Sequence, residues 1–120
     1  MLNVNAQKWV TALRSGKYVQ TQGCLQDQFG YCCLGVACRL YADTYPMSVI
    51  RDSIGITAFD EYRTRLPVQV RVWLGLKQSA GDYDIGPDSY SLSDDNDDGR
   101  SFDWIADMIE SEPEGLFEVV

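Results

Sequence analysis

Cys24, Cys32, Cys33 and Cys38 are the side chains of this sequence with the widest chemical range, because a thiolate can act as nucleophile, metal ligand or redox centre. Their spacing, C-x7-C-C-x4-C, lacks the paired C-x2-C knuckles of a structural zinc site, and the chain has no histidine to complete one. Adjacent Cys32 and Cys33 are poorly placed to bridge each other. All four are expected as reduced thiols packed in the core, where free cysteine behaves as a small hydrophobe. The missing histidine also excludes the ordinary serine and cysteine triads. A serine–lysine pair would have to draw on Lys8, Lys17 or Lys77, none of which lies in a recognisable motif. Nothing singles out a cysteine–carboxylate pair. The glycines are scattered, with no phosphate-cradling loop and no cofactor motif. A non-enzymatic protein without a cofactor is therefore expected.

The run Asp94-Asp95-Asn96-Asp97-Asp98-Gly99 comes nearest to a metal motif. Asp94, Asn96, Asp98 and Gly99 match positions 1, 3, 5 and 6 of an EF-hand loop, but Ile105 stands at position 12, where a bidentate carboxylate is needed. The run is read as a solvated acidic loop, with no metal. It belongs to a lopsided charge distribution. Residues 1–81 carry nine basic and five acidic residues, a net of +4, whereas residues 82–120 carry thirteen acidic residues and only Arg100, a net of −12. Phosphate is repelled by such a C-terminal third, so nucleic acid is not its expected partner. The asymmetry suits either solubility or a protein with a basic surface. Asp94, Asp95, Asp97 and Asp98, with Tyr83 and Tyr90 beside them, are the candidate partner-binding residues, since tyrosine is enriched at interfaces. Tyr31 and Tyr41 are assigned to the core. Arg63, Arg65 and Arg71 are the alternative candidates, as phosphate ligands of a small-molecule site such as one for a nucleotide signal.

These residues must be positioned by one domain spanning 1–120, long enough to bury roughly two thirds of its unfolded surface. No apolar run reaches membrane-spanning length and no signal peptide is evident, so a cytoplasmic protein with no membrane partner is expected. Ala6, Trp9, Val10 and Leu13 give a helix face over Asn5–Ser15, with Asn5 as cap and Gly16 as stop. Tyr18–Leu25 reads as a strand. Tyr31–Tyr41 is apolar nearly all round, which predicts a buried central helix, and Gly35 within it implies that another element packs close there. Met47–Ile50 and Ile54–Phe59 read as short strands or irregular structure. Leu66–Leu76 fits both periods, but Pro67 and Gly75 at its ends favour a short helix. Residues 77–90 read as loop. Ser101 caps a helix with the stripe Phe102, Ile105, Ala106 and Ile109, ending before Pro113, and Leu116–Val120 reads as a final strand. The sum is an α+β fold: about four helices around a buried central one, with a short antiparallel hairpin or small sheet.

Several of these stretches, taken in order, resemble a family of small proteins encoded in tailed-phage and prophage genomes. They are Lys8-Trp9-Val10 with Leu13-Arg14-Ser15-Gly16-Lys17-Tyr18, then Gly30-Tyr31-Cys32-Cys33-Leu34-Gly35-Val36, then Leu66-Pro67 with Val70 and Trp73-Leu74-Gly75-Leu76. Asn96-Asp97, Gly99, Ser101-Phe102, Ile105-Ala106 and Ile109-Glu110 complete the pattern. The resemblance covers most of the chain and carries no catalytic residues with it. It implies an accessory protein that binds a host protein, such as part of a defence complex, and inhibits or redirects it.

Overall fold

In the computed structural model, which describes residues 1–119, the first helix is α1 (Val4–Arg14), and Asn3 caps it instead of the expected Asn5. Asn3 Oδ1 accepts the Ala6 N–H at 2.8 Å, which satisfies one of the four N–H groups a helix start leaves free. Both asparagines then tie α1 to the third helix: Asn3 Nδ2 donates to the Leu74 carbonyl and Asn5 Nδ2 to the Trp73 carbonyl, each at 2.9 Å. The apolar face is the expected one, with Ala6, Trp9, Val10 and Leu13 buried.

The expected strand over Tyr18–Leu25 does not form. Its main-chain groups find scattered partners: Tyr31 N–H donates to Val19 O, Thr21 N–H to Tyr31 O, and Leu25 N–H to Arg63 O. No neighbour runs alongside for long enough to build a ladder, and only isolated bridges such as Gln20–Tyr31 and Gln26–Tyr31 result. The segment wraps the start of α2 (Cys33–Thr44), which begins two residues later than expected and is capped by Cys32, whose Sγ accepts the Gly35 N–H at 3.4 Å. Burial on all sides holds for its first half, Cys33 to Cys38. Beyond Arg39 the helix emerges to the surface, and Tyr31 and Tyr41 are only partly buried against the core.

Strands β1 (Val49–Arg51) and β2 (Thr57–Phe59) pair antiparallel, with Val49 opposite Phe59. Helix α3 (Val68–Leu74) follows, with Pro67 as its N-cap and Gly75 in the left-handed conformation, φ 77°, at its end. Val70 and Leu74 face the core while Val68 and Val72 are exposed, so the helical period prevails over the alternating one. Residues 77–90 are not all loop. β3 (Asp82–Ile85) and β4 (Asp88–Ser91) form a second antiparallel hairpin around a two-residue Gly86-Pro87 turn, with Tyr83 opposite Tyr90.

The acidic run is not a solvated loop either. It is the short helix α4 (Leu92–Asp97), capped by Ser91, whose Oγ accepts the Asp94 N–H at 3.0 Å. Leu92, Asp95 and Asn96 are buried in it. α5 (Phe102–Glu110) matches expectation, with Ser101 as cap and Phe102, Ile105, Ala106 and Ile109 buried. Of the expected final strand, Leu116 is buried and Phe117 makes one isolated bridge to Leu76; its last residue, Val120, lies outside the described residues. The architecture is α+β, five helices and two small hairpins among the described residues, with α1 and α5 packed together and α2 between α1, α3 and α4. Trp9, Leu25, Leu34, Phe59, Leu74 and Ile105 belong to one continuous core. No helix among the described residues is long and apolar enough to cross a membrane.

Candidate functional site

Three of the four cysteines are enclosed by the core. Cys32, Cys33 and Cys38 are buried and Cys24 partly so, and no pair is bridged. Burial pushes the Cys32 thiol up to about 11 and raises those of Cys33 and Cys38 as well, so they stay protonated and unreactive at neutral pH. Cys32, Cys33 and Cys38 pack the core as expected, whereas Cys24 lies half-buried outside it.

The second hairpin, α4 and α5 build a cleft of about 210 Å³. Tyr83, Tyr90 and Ile85 come from the hairpin, Trp104 and Met108 from α5, with Asp95 and Arg100 between them. Tyr83 and Tyr90 stack with ring centres 5.7 Å apart, and the Arg100 guanidinium lies 4.6 Å from the centre of the Trp104 ring. Tyr83 and Asp95, expected on a contact surface, are instead 2% and 8% exposed. Tyr83 Oη donates to Asp95 Oδ2 at 2.5 Å, a charge-assisted bond across the floor of the cleft. A strand position opposite Tyr90 and a helix position facing the core put them there, and neither element was legible as such in the sequence. Tyr90 is 45% exposed, and Asp94, Asp97 and Asp98 lie on the surface around α4. Asp97 is partly engaged, with Oδ1 accepting the Gly23 N–H at 2.9 Å.

Burial raises the Asp95 carboxyl above its ordinary range; the Tyr83 bond and the charge of Arg100 pull it down, and Asp94 and Asp98 push it up. Burial raises the Tyr83 phenol too, helped by its bond to Asp95. The folded state thus holds the Asp95 proton more tightly than the unfolded chain, and the stability this group contributes falls as pH rises from the unfolded value through the folded one. Tyr83→Phe removes the donor and raises Asp95 further. Urea denaturation should show a loss of about 1–3 kcal/mol at neutral pH. The loss should shrink in acid, where Asp95 is protonated in both proteins. An equal loss at both pH values would mean that Tyr83 matters only as a packed ring.

Nothing in the acidic run is arranged as an EF-hand. Asn96, which would supply the third-position ligand, points into the core and spends its polar atoms on Gln20, Thr21 and Cys33. Among the described residues no group of three histidine, cysteine or carboxylate side chains is placed to hold a metal ion.

The three arginines of the alternative site divide. Arg63 Nη2 pairs with Asp52 at 2.8 Å, beside the first hairpin. Arg65 and Arg71 line a separate cleft of about 540 Å³ together with Lys77, which sequence reasoning had not grouped with them.

Over residues 1–113 the chain matches the family described as a domain of unknown function, DUF8296. It belongs to the DUF8296 family. No curated protein and no solved structure matches it. The DUF8296 match spans all five helices and both hairpins, and it contains every residue of the aromatic cleft. Trp104, Met108, Ile85 and Arg100 are the DUF8296 cleft residues that sequence reasoning missed. The signal for two of them was present: Trp104 and Met108 are four apart on α5, one helical turn, and lie off the buried stripe of Phe102, Ile105, Ala106 and Ile109.

Proposed function

We propose that this chain is a non-enzymatic binding protein that docks the Tyr90–Trp104–Met108 cleft, flanked by Asp94, Asp97 and Asp98, onto a basic protein surface. The observation that carries the reading is the gathering of tyrosine, tryptophan, methionine and arginine in one open cleft on an acidic face. These residue types are enriched where protein interfaces hold their binding energy. The cleft is of a size for one apolar or cationic side chain of the partner, and its lining includes the Asp95 carboxyl bonded to the Tyr83 hydroxyl. The net charge of −12 over residues 82–120 supports fast, salt-sensitive association with a cationic surface, such as one that otherwise holds nucleic acid.

The resemblance to phage and prophage proteins supports a host protein as the partner, met in the host cytoplasm and inhibited or redirected by the contact. A defence complex is one such partner. The test is retention of one protein by the immobilised chain from host lysate at low salt. That protein should be released at about 1 M salt, where the Debye length is about 3 Å. A variant carrying Tyr90→Ala, Asp94→Asn and Asp98→Asn, all surface positions, should keep the parent's fold by circular dichroism and lose the captured protein. Undiminished capture by that folded variant would refute the reading.

A further inference from the structure

We infer that Arg65, Arg71 and Lys77 form a second binding site, an anion cleft for a phosphate-bearing small molecule of nucleotide size. It shares no residue with the aromatic cleft, so it stands or falls independently of the protein-binding reading. The fold brings the three cations together from both ends of α3. Arg65 precedes the helix, Arg71 lies on it, and Lys77 follows the left-handed Gly75 that turns the chain back toward Leu116. The cleft measures about 540 Å³. Small-molecule sites run from about 300 to 1,000 Å³.

The charges there are gathered in one cleft and carry no salt bridge among the described residues. Arg14, Arg39 and Arg63 each form a salt bridge, whereas among the described residues Arg65, Arg71 and Lys77 form none. One carboxylate, Glu118, lies on the wall, which leaves the lining at a net +2 in a chain of net −8. Gathering like charges without counterions is unfavourable, and an anion with two or more negative charges relieves it. Two of the cations are also held. The Arg65 guanidinium lies 5.4 Å from the centre of the Tyr62 ring, and Arg71 Nη1 donates to the Leu76 carbonyl at 3.1 Å. Each spends one face or one donor on the fold and keeps the rest of its planar fork for the ligand, the geometry that suits phosphate. Tyr62 also supplies the cleft with an aromatic edge, so that a phosphate alone would leave much of the volume unfilled.

The experiment is calorimetric titration of the full chain at low salt with inorganic pyrophosphate and, separately, with nucleoside diphosphates. Saturable binding of one or both is expected. Tighter binding of a nucleoside diphosphate than of pyrophosphate assigns the rest of the cleft to the nucleoside; equal binding would overturn a ligand of nucleotide size. Arg65→Gln combined with Lys77→Gln should weaken binding roughly ten-fold or more without lowering the melting temperature of the ligand-free protein. Arg63→Gln, which alters an arginine outside the cleft, should bind like the parent. The proposal is overturned if neither probe binds saturably, if the double variant binds as well as the parent, or if Arg63→Gln loses binding to the same extent.

Discussion

Gly35→Ala is expected to leave the protein unfolded, or destabilised by about 3 kcal/mol or more. In an exposed helix the same change would stabilise by about 1 kcal/mol, because alanine is the better helix former. The sign reverses here because a Cβ at Gly35 would fall 1.7 Å from the Leu25 carbonyl oxygen and 2.6 Å from its carbon. Those are backbone atoms, and no rotamer change relieves the clash. Nor can the Leu25 backbone retreat freely. Its N–H donates to Arg63 O at 2.7 Å, its carbonyl accepts from Cys32 N–H at 3.1 Å, and its side chain is fully buried. The midpoint of urea unfolding followed by circular dichroism decides the matter. A midpoint at or above that of the parent would mean that the wrapping segment does not rest on α2.

Asn96→Ala should be nearly as damaging, with a loss of about 3 kcal/mol. Asn96 is completely buried. Its Oδ1 accepts from Gln20 Nε2 at 2.9 Å and from the Cys33 N–H at 3.1 Å, and its Nδ2 donates to the Thr21 carbonyl at 2.8 Å. Alanine leaves a buried N–H at the start of α2 and a carbonyl in the wrapping segment without partners, and an unsatisfied buried group is more harmful than a lost hydrogen bond is helpful. Asn96→Asp separates the contributions. It keeps both accepted bonds but brings a charge into the core and loses the donor to Thr21, so it should also destabilise at neutral pH and recover in acid as the carboxyl protonates. Full stability of Asn96→Ala would show that water replaces the side chain at no net loss.

The α+β class and the helices α1, α2, α3 and α5 were legible because each has an apolar face at helical spacing and a capping residue or glycine at an end. Gly35 also carried its meaning openly, since a glycine in an otherwise strong helix needs a close neighbour. The second hairpin was hidden because Asp-Tyr-Asp-Ile and Asp-Ser-Tyr-Ser alternate weakly and are mostly polar. Only Gly86-Pro87 marked the turn. The acidic run was misread because its composition outweighed its pattern: Leu92, Asp95 and Asn96 make a buried face one turn apart, but two of the three are polar, and polar residues are assigned to solvent unless their partners are known. Those partners, Tyr83, Gln20, Thr21 and Cys33, belong to other segments of the chain. The candidate clefts were half legible for the same reason. Tyr90, Arg65 and Arg71 stood out by type, while Trp104, Met108 and Lys77 join them only through the folding of separate segments.

The Asn96 contacts also bear on when the molecule folds. The side chain that satisfies the first N–H group of the central helix lies 63 residues downstream of Cys33, and Arg14 finds Asp107 only across 93 residues. A nascent chain that has emerged through α3 therefore holds the central, most buried helix without α4 against it, with the Cys33 N–H unpaired and the face of α1 that meets α5 bare. Closure of such long loops is slow compared with local helix formation. Folding is then a single late event that waits for α4 and α5 to leave the ribosome, and truncated or stalled products expose a sticky core to proteases and chaperones rather than accumulating as stable fragments.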